Sequence, residues 1–216
     1  ALWLESNLEF KIEANARLLG TANKSNASYP YIYTRYGGTM TMTKASLLNG
    51  GICTKLDYNA SAIGDQCKNN WKKLSNVKIY GYGTIDGNGD SGWYNPPYNN
   101  VRPCLLQLMW IDGLTIFNVT VTNSPFWTVH PLFSNNILIE NITVNTDGPN
   151  TDGIDPDSCS NVLIQRSYVT SGDDCIAIKS GKDADGRAVG IPTNNVTIRD
   201  MEFGQGHGIS IGSEMS

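Results

Sequence analysis

The sequence predicts an all-β fold, a parallel β-solenoid wound from coils of about twenty-odd residues, and three observations carry that prediction. First, a strand-like segment led by Asn, Gly or Ser recurs: NVKIYGYGTID from Asn76, GLTIFNVTVTN from Gly113, NNILIENITVN from Asn135, SNVLIQRSYVT from Ser160 and NNVTIRDMEFG from Asn194. The matching positions Val77, Leu114, Ile137, Val162 and Val196 stand 37, 23, 25 and 34 residues apart. Two of these spacings are near a bare coil, and two carry an insertion of about ten residues. Second, Gly153-Ile154, Cys175-Ile176 and Gly208-Ile209 fall at the same phase of three successive segments. Third, 22 Gly and a charged fraction of only 17% suit a turn-rich β protein rather than a disordered one. A single coil cannot bury its own apolar face, so stacking makes the core. An antiparallel sandwich also spaces short strands regularly, but it does not predict one motif at one phase.

The elements follow in order. From Leu8 to Leu19 an alternation of Leu8, Phe10 and Ile12 with polar residues reads as a half-buried strand. Asn23–Ser28 reads as a polar loop, and Tyr31–Leu48 as short strands turning at Gly37-Gly38. Residues 49–73 are the least regular part, an insertion holding Cys53 and Cys67. The coils then begin and run to the end, interrupted by a Gly-, Asp- and Pro-containing stretch from Gly181 to Pro192 that is expected to project as a loop. All 216 residues are expected to form part of one solenoid domain, the middle of a larger protein, so that an isolated piece with a bare coil edge would be poorly soluble and nearly inactive. Asn118, Asn141 and Asn195 match the Asn-X-Ser/Thr glycan acceptor pattern. They are expected to lie inside strands and to keep coil register instead.

A formal net charge of −4 argues against nucleic acid and against an anionic membrane surface as partners. No run of eighteen apolar residues exists, so no transmembrane helix is expected. The five cysteines, Cys53, Cys67, Cys104, Cys159 and Cys175, have no metal-ligand spacing, and neither a metal nor a cofactor is expected. Cys53 and Cys67 flank a polar loop and could pair in an oxidising compartment, whereas Cys159 and Cys175 occupy coil positions that suit buried thiols.

Aligning the three coils on Gly/Cys-Ile brings Asp152, Asp174 and His207 into one column with Asp173 beside it. Stacked strands lie about 4.8 Å apart, so the column would be a cluster of acids capped by a histidine. Carboxyls packed this closely cannot all ionise easily, and one is expected to hold its proton to higher pH. The bland readings of such residues are calcium binding or turn capping. Asp155 and Asp157 could equally be turn-shaping residues. A second copy of the motif, Asn145-Thr146-Asp147-Gly148, lacks the phase of the column, which favours Asp152.

These residues, as Asn150-Thr151-Asp152, Gly172-Asp173-Asp174 and Gly206-His207-Gly208, together with NSPFWTVHP from Asn123, closely resemble the motifs of glycoside hydrolase family 28, the polygalacturonases. The segments IAIKSGKDADGRAVGIPTNN and IGSEMS look most like the bacterial exo-acting branch and its plant relatives. The resemblance implies a right-handed parallel β-helix, secretion, and hydrolysis of α-1,4-galacturonosyl bonds in de-esterified pectin with inversion. It implies Asp173 as general acid, Asp152 with Asp174 as the groups that position and deprotonate water, and His207 as a partner of the acid or substrate. An inverting pair of carboxyls stands roughly 6.5–9.5 Å apart to leave room for that water. The family's downstream Arg-Ile-Lys motif, which holds the substrate carboxylate, has no counterpart before Ser216.

Substrate contacts are expected from Asn150, from Lys179 as a cation facing the cleft, and from His130 and Trp127 one coil earlier, although a stacked core role suits Trp127 as well. The Gly181–Pro192 loop and the 49–73 insertion are expected to wall one end of the cleft, favouring exo attack by a monomer on polygalacturonate. Endo attack, or cleavage of rhamnogalacturonan or xylogalacturonan, is the alternative within hydrolases. A calcium-dependent pectate lyase would need an Arg base that is missing near the Asp column, and a non-catalytic carbohydrate-binding solenoid gives no reason for the column.

Overall fold

The computed structural model describes residues 1–54 and 70–216. The chain winds as a right-handed parallel β-helix in which each coil contributes a long strand, a short strand and a third strand. The long strands Glu9–Lys11, Leu74–Tyr80, Ile111–Phe117, Asn135–Glu140, Ser160–Gln165 and Asn194–Arg199 stack as one six-stranded sheet. The short strands Arg17–Leu19, Thr84–Asp86, Thr120–Thr122, Thr143–Asn145, Tyr168–Thr170 and Glu202–Phe203 form a second. The third sheet runs from Leu2–Trp3 through Leu48–Asn49, Leu106–Met109 and Val129–Leu132. Bridges from Val129 to Ile154 and from Ile154 to Ile176 carry it on to Ile176–Ile178 and Ile209–Ile211.

The register is the one that the repeat predicts. Val77 pairs with Leu114, Leu114 with Ile137, Ile137 with Val162, and Val162 with Val196. Their inward side chains, with Ile79, Ile116, Ile139 and Ile164, fill one continuous apolar core. Just before this row, Asn7, Asn76, Gly113, Asn136, Asn161 and Asn195 all take positive φ, between 53° and 82° except where Asn195 lies at 51°. Left-handed backbone disfavours most L-residues, which explains why Asn leads the strands and why Gly can replace it at Gly113. Asn195 donates to Asn161 Oδ1 at 2.7 Å and Asn161 to Asn135 Oδ1 at 2.9 Å, so the side chains form a ladder parallel to the backbone one. Asn141 donates likewise to Asn118 Oδ1 at 2.7 Å. Asn118 and Asn141 therefore keep register as expected, but they lie just past their strands rather than inside them.

Two other boundaries differ from the sequence reading. Leu8–Leu19 is two strands in two sheets, because the chain turns a coil corner at Glu13–Ala16. The Gly181–Pro192 stretch contains a seven-residue helix, α1 (Asp183–Val189), closed by the left-handed Gly190. Tyr31–Tyr36 and Thr39–Lys44 are the expected short strands, paired as an antiparallel hairpin that turns at Gly37-Gly38. Cys53 is disulfide-bonded, while Cys67 and most of the irregular insertion lie outside the described residues. Cys104, Cys159 and Cys175 are buried thiols. Among the described residues no helix is long and apolar enough to cross a membrane.

Candidate active site

The predicted column exists. Pairing of Ile154 with Ile176 and of Ile176 with Ile209 puts Asp152, Asp174 and His207 at equivalent positions of three coils, where the chain enters the third sheet. Thr128 N–H donates to the Asp152 carbonyl at 2.8 Å, and Gly153 N–H to the Asp174 carbonyl at 2.9 Å, fixing the backbone beneath them. Asp173 stands beside the column. Its Oδ1 accepts from Asp174 N–H at 3.0 Å, and its carbonyl accepts from His207 N–H at 3.0 Å. The tight turn before His207 needs Gly206: φ is 127°, and a Cβ there would meet Ser171 Oγ at 2.6 Å and Cys175 Sγ at 2.7 Å.

The imidazole Nδ1 of His207 lies 3.2 Å from Asp174 Oδ1 and 3.4 Å from Asp173 Oδ1, and Ser210 Oγ donates to Asp174 Oδ1 at 2.8 Å. Side-chain exposure falls from 69% at His207 through 30% at Asp173 and 15% at Asp174 to 5% at Asp152. The site thus runs from an open edge to a buried carboxyl. Burial pushes Asp152 up to about 6; the Lys179 charge opposes this, and the Asp173 and Asp174 charges add to it. The facing atoms of Asp173, Asp174 and His207 lie within 4.8 Å of one another. Two carboxylates and one imidazole fall short of the six to eight oxygens, roughly, that calcium takes, and the arrangement suits proton transfer better.

Along the third sheet, alternate side chains point away from the core. Gln107, His130, Asp155, Asp157 and Lys179 occupy this outer face, yet all are buried. The hairpin covers Gln107 and Asp157. Thr34 Oγ1 accepts from Gln107 at 2.8 Å, and Arg35 Nη1 donates to Asp157 Oδ1 at 2.6 Å and to Ser158 Oγ at 2.7 Å. His130 Nδ1 lies 2.8 Å from Gln107 Oε1, and its Nε2 3.4 Å from Asp157 Oδ2. Burial alone would raise Asp157, but His130 and Arg35 hold it below the usual carboxylate range. Asp155 has neither oxygen hydrogen-bonded, and burial with the Asp152 charge beside it pushes its carboxyl well up. Neither aspartate shapes a turn.

The expected substrate contacts need correction. Lys179 does not face an open cleft; its ammonium is buried against Glu214 Oε2 at 2.7 Å and Asp152 Oδ2 at 3.4 Å, and lies 4.3 Å from the centre of the Trp127 ring. Trp127 stacks on Phe126 and meets His130 edge-on, so both residues are packing partners of the site rather than exposed subsite walls. Asn150 is exposed, but its carboxamide oxygen already accepts from Arg102 Nη2 at 2.8 Å. Sequence reasoning missed Arg35, Arg102 and Glu214. Nothing in their local patterns marks them, since Arg35 meets a partner 122 residues away.

With this geometry established, comparison with known proteins adds the family context. The sequence model described as "Glycosyl hydrolases family 28" matches residues 40–216. The chain is 46% identical over 151 residues to a probable polygalacturonase of Vitis vinifera, covering 66% of this chain and 31% of that protein. It is 39% identical over 158 residues to an endo-polygalacturonase of Pectobacterium carotovorum subsp. carotovorum, covering 65% of this chain and 37% of that protein. The crystal structure of an exopolygalacturonase from Thermotoga maritima superposes with a TM-score of 0.82 at 26% identity, over 99% of this chain and 52% of that one. The chain spans about a third of the length of the curated relatives it matches.

Proposed function

The chain belongs to glycoside hydrolase family 28, and from that premise we propose that the protein carrying it hydrolyses α-1,4-galacturonosyl bonds of polygalacturonate by single displacement with inversion, releasing short products from a chain end. The observation that carries the reading is the Asp152–Asp173–Asp174–His207 cluster at one end of the third sheet.

In this reading Asp173, partly exposed and within reach of His207, gives its proton to the leaving glycosidic oxygen. Asp152 and Asp174 hold a water on the other side of the anomeric carbon and take its proton as the new C–O bond forms. A base with a carboxyl titrating at about 6 accepts that proton more readily than an ordinary aspartate. His207 bridges Asp173 and Asp174 and exchanges protons with solvent, returning Asp173 to its acid form after each turnover. No step calls for a metal.

Exo attack is supported by what surrounds the cluster. The hairpin lies over the outer face of the third sheet and meets α1, whose Asp185 Oδ1 accepts from Met40 N–H at 3.2 Å. On the preceding coils the segment 88–103 folds back, with Tyr94 bonded to the Ser124 carbonyl at 2.7 Å and Arg102 bonded to Asn150. In this reading these elements wall one end of the cleft, which would favour attack at a chain end. The disulfide at Cys53 fits secretion into an oxidising compartment. Size analysis of the first products from polygalacturonate, with chelator present, tests both parts. Mono- or digalacturonate from the earliest times supports exo hydrolysis, random mid-chain fragments mean endo attack, and unsaturated uronate products mean a lyase.

A further inference from the structure

Beside the reacting carboxyls lies a charged group that the proton transfers do not use. Lys179 is buried, and its ammonium has three protons to place. Around it stand Glu214 Oε2 at 2.7 Å, the Gly212 carbonyl at 3.4 Å, Asp152 Oδ2 at 3.4 Å and Asp155 Oδ1 at 4.0 Å. The Trp127 ring closes the remaining side. Four acceptors thus compete for one cation, and the geometry gives the short hydrogen bond to Glu214. Glu214 itself is held in place, since Ser213 Oγ donates to its Oε1 at 3.1 Å and Ser180 N–H to its carbonyl at 2.7 Å.

We propose that Glu214 is a positioning residue for the hydrolysis, holding the Lys179 ammonium so that it only partly pairs with Asp152 and leaves that carboxylate able to take a proton from water. The inference rests on the reading of Asp152 as part of the base. The groups facing Asp152 are Lys179 and Asp155 on the third sheet, Asp173 and Asp174 from the following coil with His207 beyond them, and Glu214 through Lys179. Of these only Lys179 is a fixed cation within ion-pair distance. Its division between Glu214 and Asp152 therefore sets how basic Asp152 is. Burial raises Asp152, and a fully committed ammonium would oppose that rise more strongly.

Two substitutions pull in opposite directions. In Glu214→Gln the neutral amide competes poorly, Lys179 turns to Asp152, and an opposite charge at hydrogen-bond distance lowers a carboxyl by about one to three pH units. In Lys179→Met the compensating charge is gone. The test measures kcat/KM on polygalacturonate against pH for the intact protein and both variants, with the Asp152 carboxyl followed by carbon-13 NMR. The expected result is an acid limb at lower pH with a reduced kcat plateau and little change in KM for Glu214→Gln, and an acid limb at higher pH for Lys179→Met. Should Lys179→Met fail to fold, Glu214→Gln decides alone through its limb and its carboxyl titration. A limb and an Asp152 titration unmoved in Glu214→Gln overturn the inference, as does movement of both variants in the same direction. If the unsubstituted protein does not cleave polygalacturonate, the functional reading falls and the inference with it. Cleavage that Asp152→Asn abolishes while Glu214→Gln leaves the limb in place overturns the inference alone.

Discussion

Replacing Asp152 by Asn should abolish turnover and yet stabilise the protein at neutral pH. An ordinary aspartate titrates near 3.9, and at about 1.36 kcal/mol per unit a folded-state value of about 6 for Asp152 corresponds to about 3 kcal/mol. The sign follows from linkage. A carboxyl raised on folding binds its proton more tightly in the folded state, so its contribution is intact below about pH 4, fades as pH rises towards 6, and is gone above that. Above pH 6 the folded protein therefore carries an ion that burial disfavours, only partly compensated by Lys179. Asn cannot ionise, and Lys179 keeps Glu214 as its partner. The stability difference between Asp152→Asn and the parent should thus grow by up to about 3 kcal/mol between pH 4 and 7 and then level off. Urea unfolding of the intact protein at a series of pH values measures it. A difference that stays flat across this window, or that turns against the variant as pH rises, would refute the argument that burial dominates at Asp152.

Asp173→Asn should lower kcat by roughly a hundred- to ten-thousand-fold with little change in stability, read by reducing-end release. Arg35→Met leaves the buried Asp157 without its cation and should cost about 3–5 kcal/mol. It should also loosen the hairpin so that longer oligogalacturonates appear among early products. Replacing Arg35 and Asp157 together with apolar residues should recover much of that stability, as followed by urea unfolding. Asn161→Ala puts a Cβ-bearing residue without a compensating side chain at φ 55° and should cost about 1–2 kcal/mol, with Asn161→Gly costing less.

The coil register and the catalytic cluster were legible for the same reason. In a solenoid, residues far apart in sequence become neighbours by a nearly constant offset, so Ile137 and Val162, or Asp152 and Asp174, can be paired by phase. The Asn ladder was legible too, because left-handed backbone leaves few residue choices at Asn136 and Asn161. The helix at Asp183–Val189 was obscured by its Gly and Asp content, which reads as loop, and it is anchored by Met40, on a distant hairpin.

By itself the sequence determined the all-β class, the stacking of coils, the family and the Asp152, Asp173, Asp174 and His207 column, all of which follow from a repeat and its phase. Only the tertiary structure decided what happens to the outer face of the third sheet. Lys179 and His130 are placed on that face by register, but whether they meet substrate or protein depends on the Tyr31–Lys44 hairpin and on Glu214 folding against that face. Arg35 reaches Asp157 across 122 residues, and Glu214 reaches Lys179 across 35. No repeat offset relates Arg35 to Asp157. Such contacts form because a buried charge must find a partner once the fold has removed water from around it.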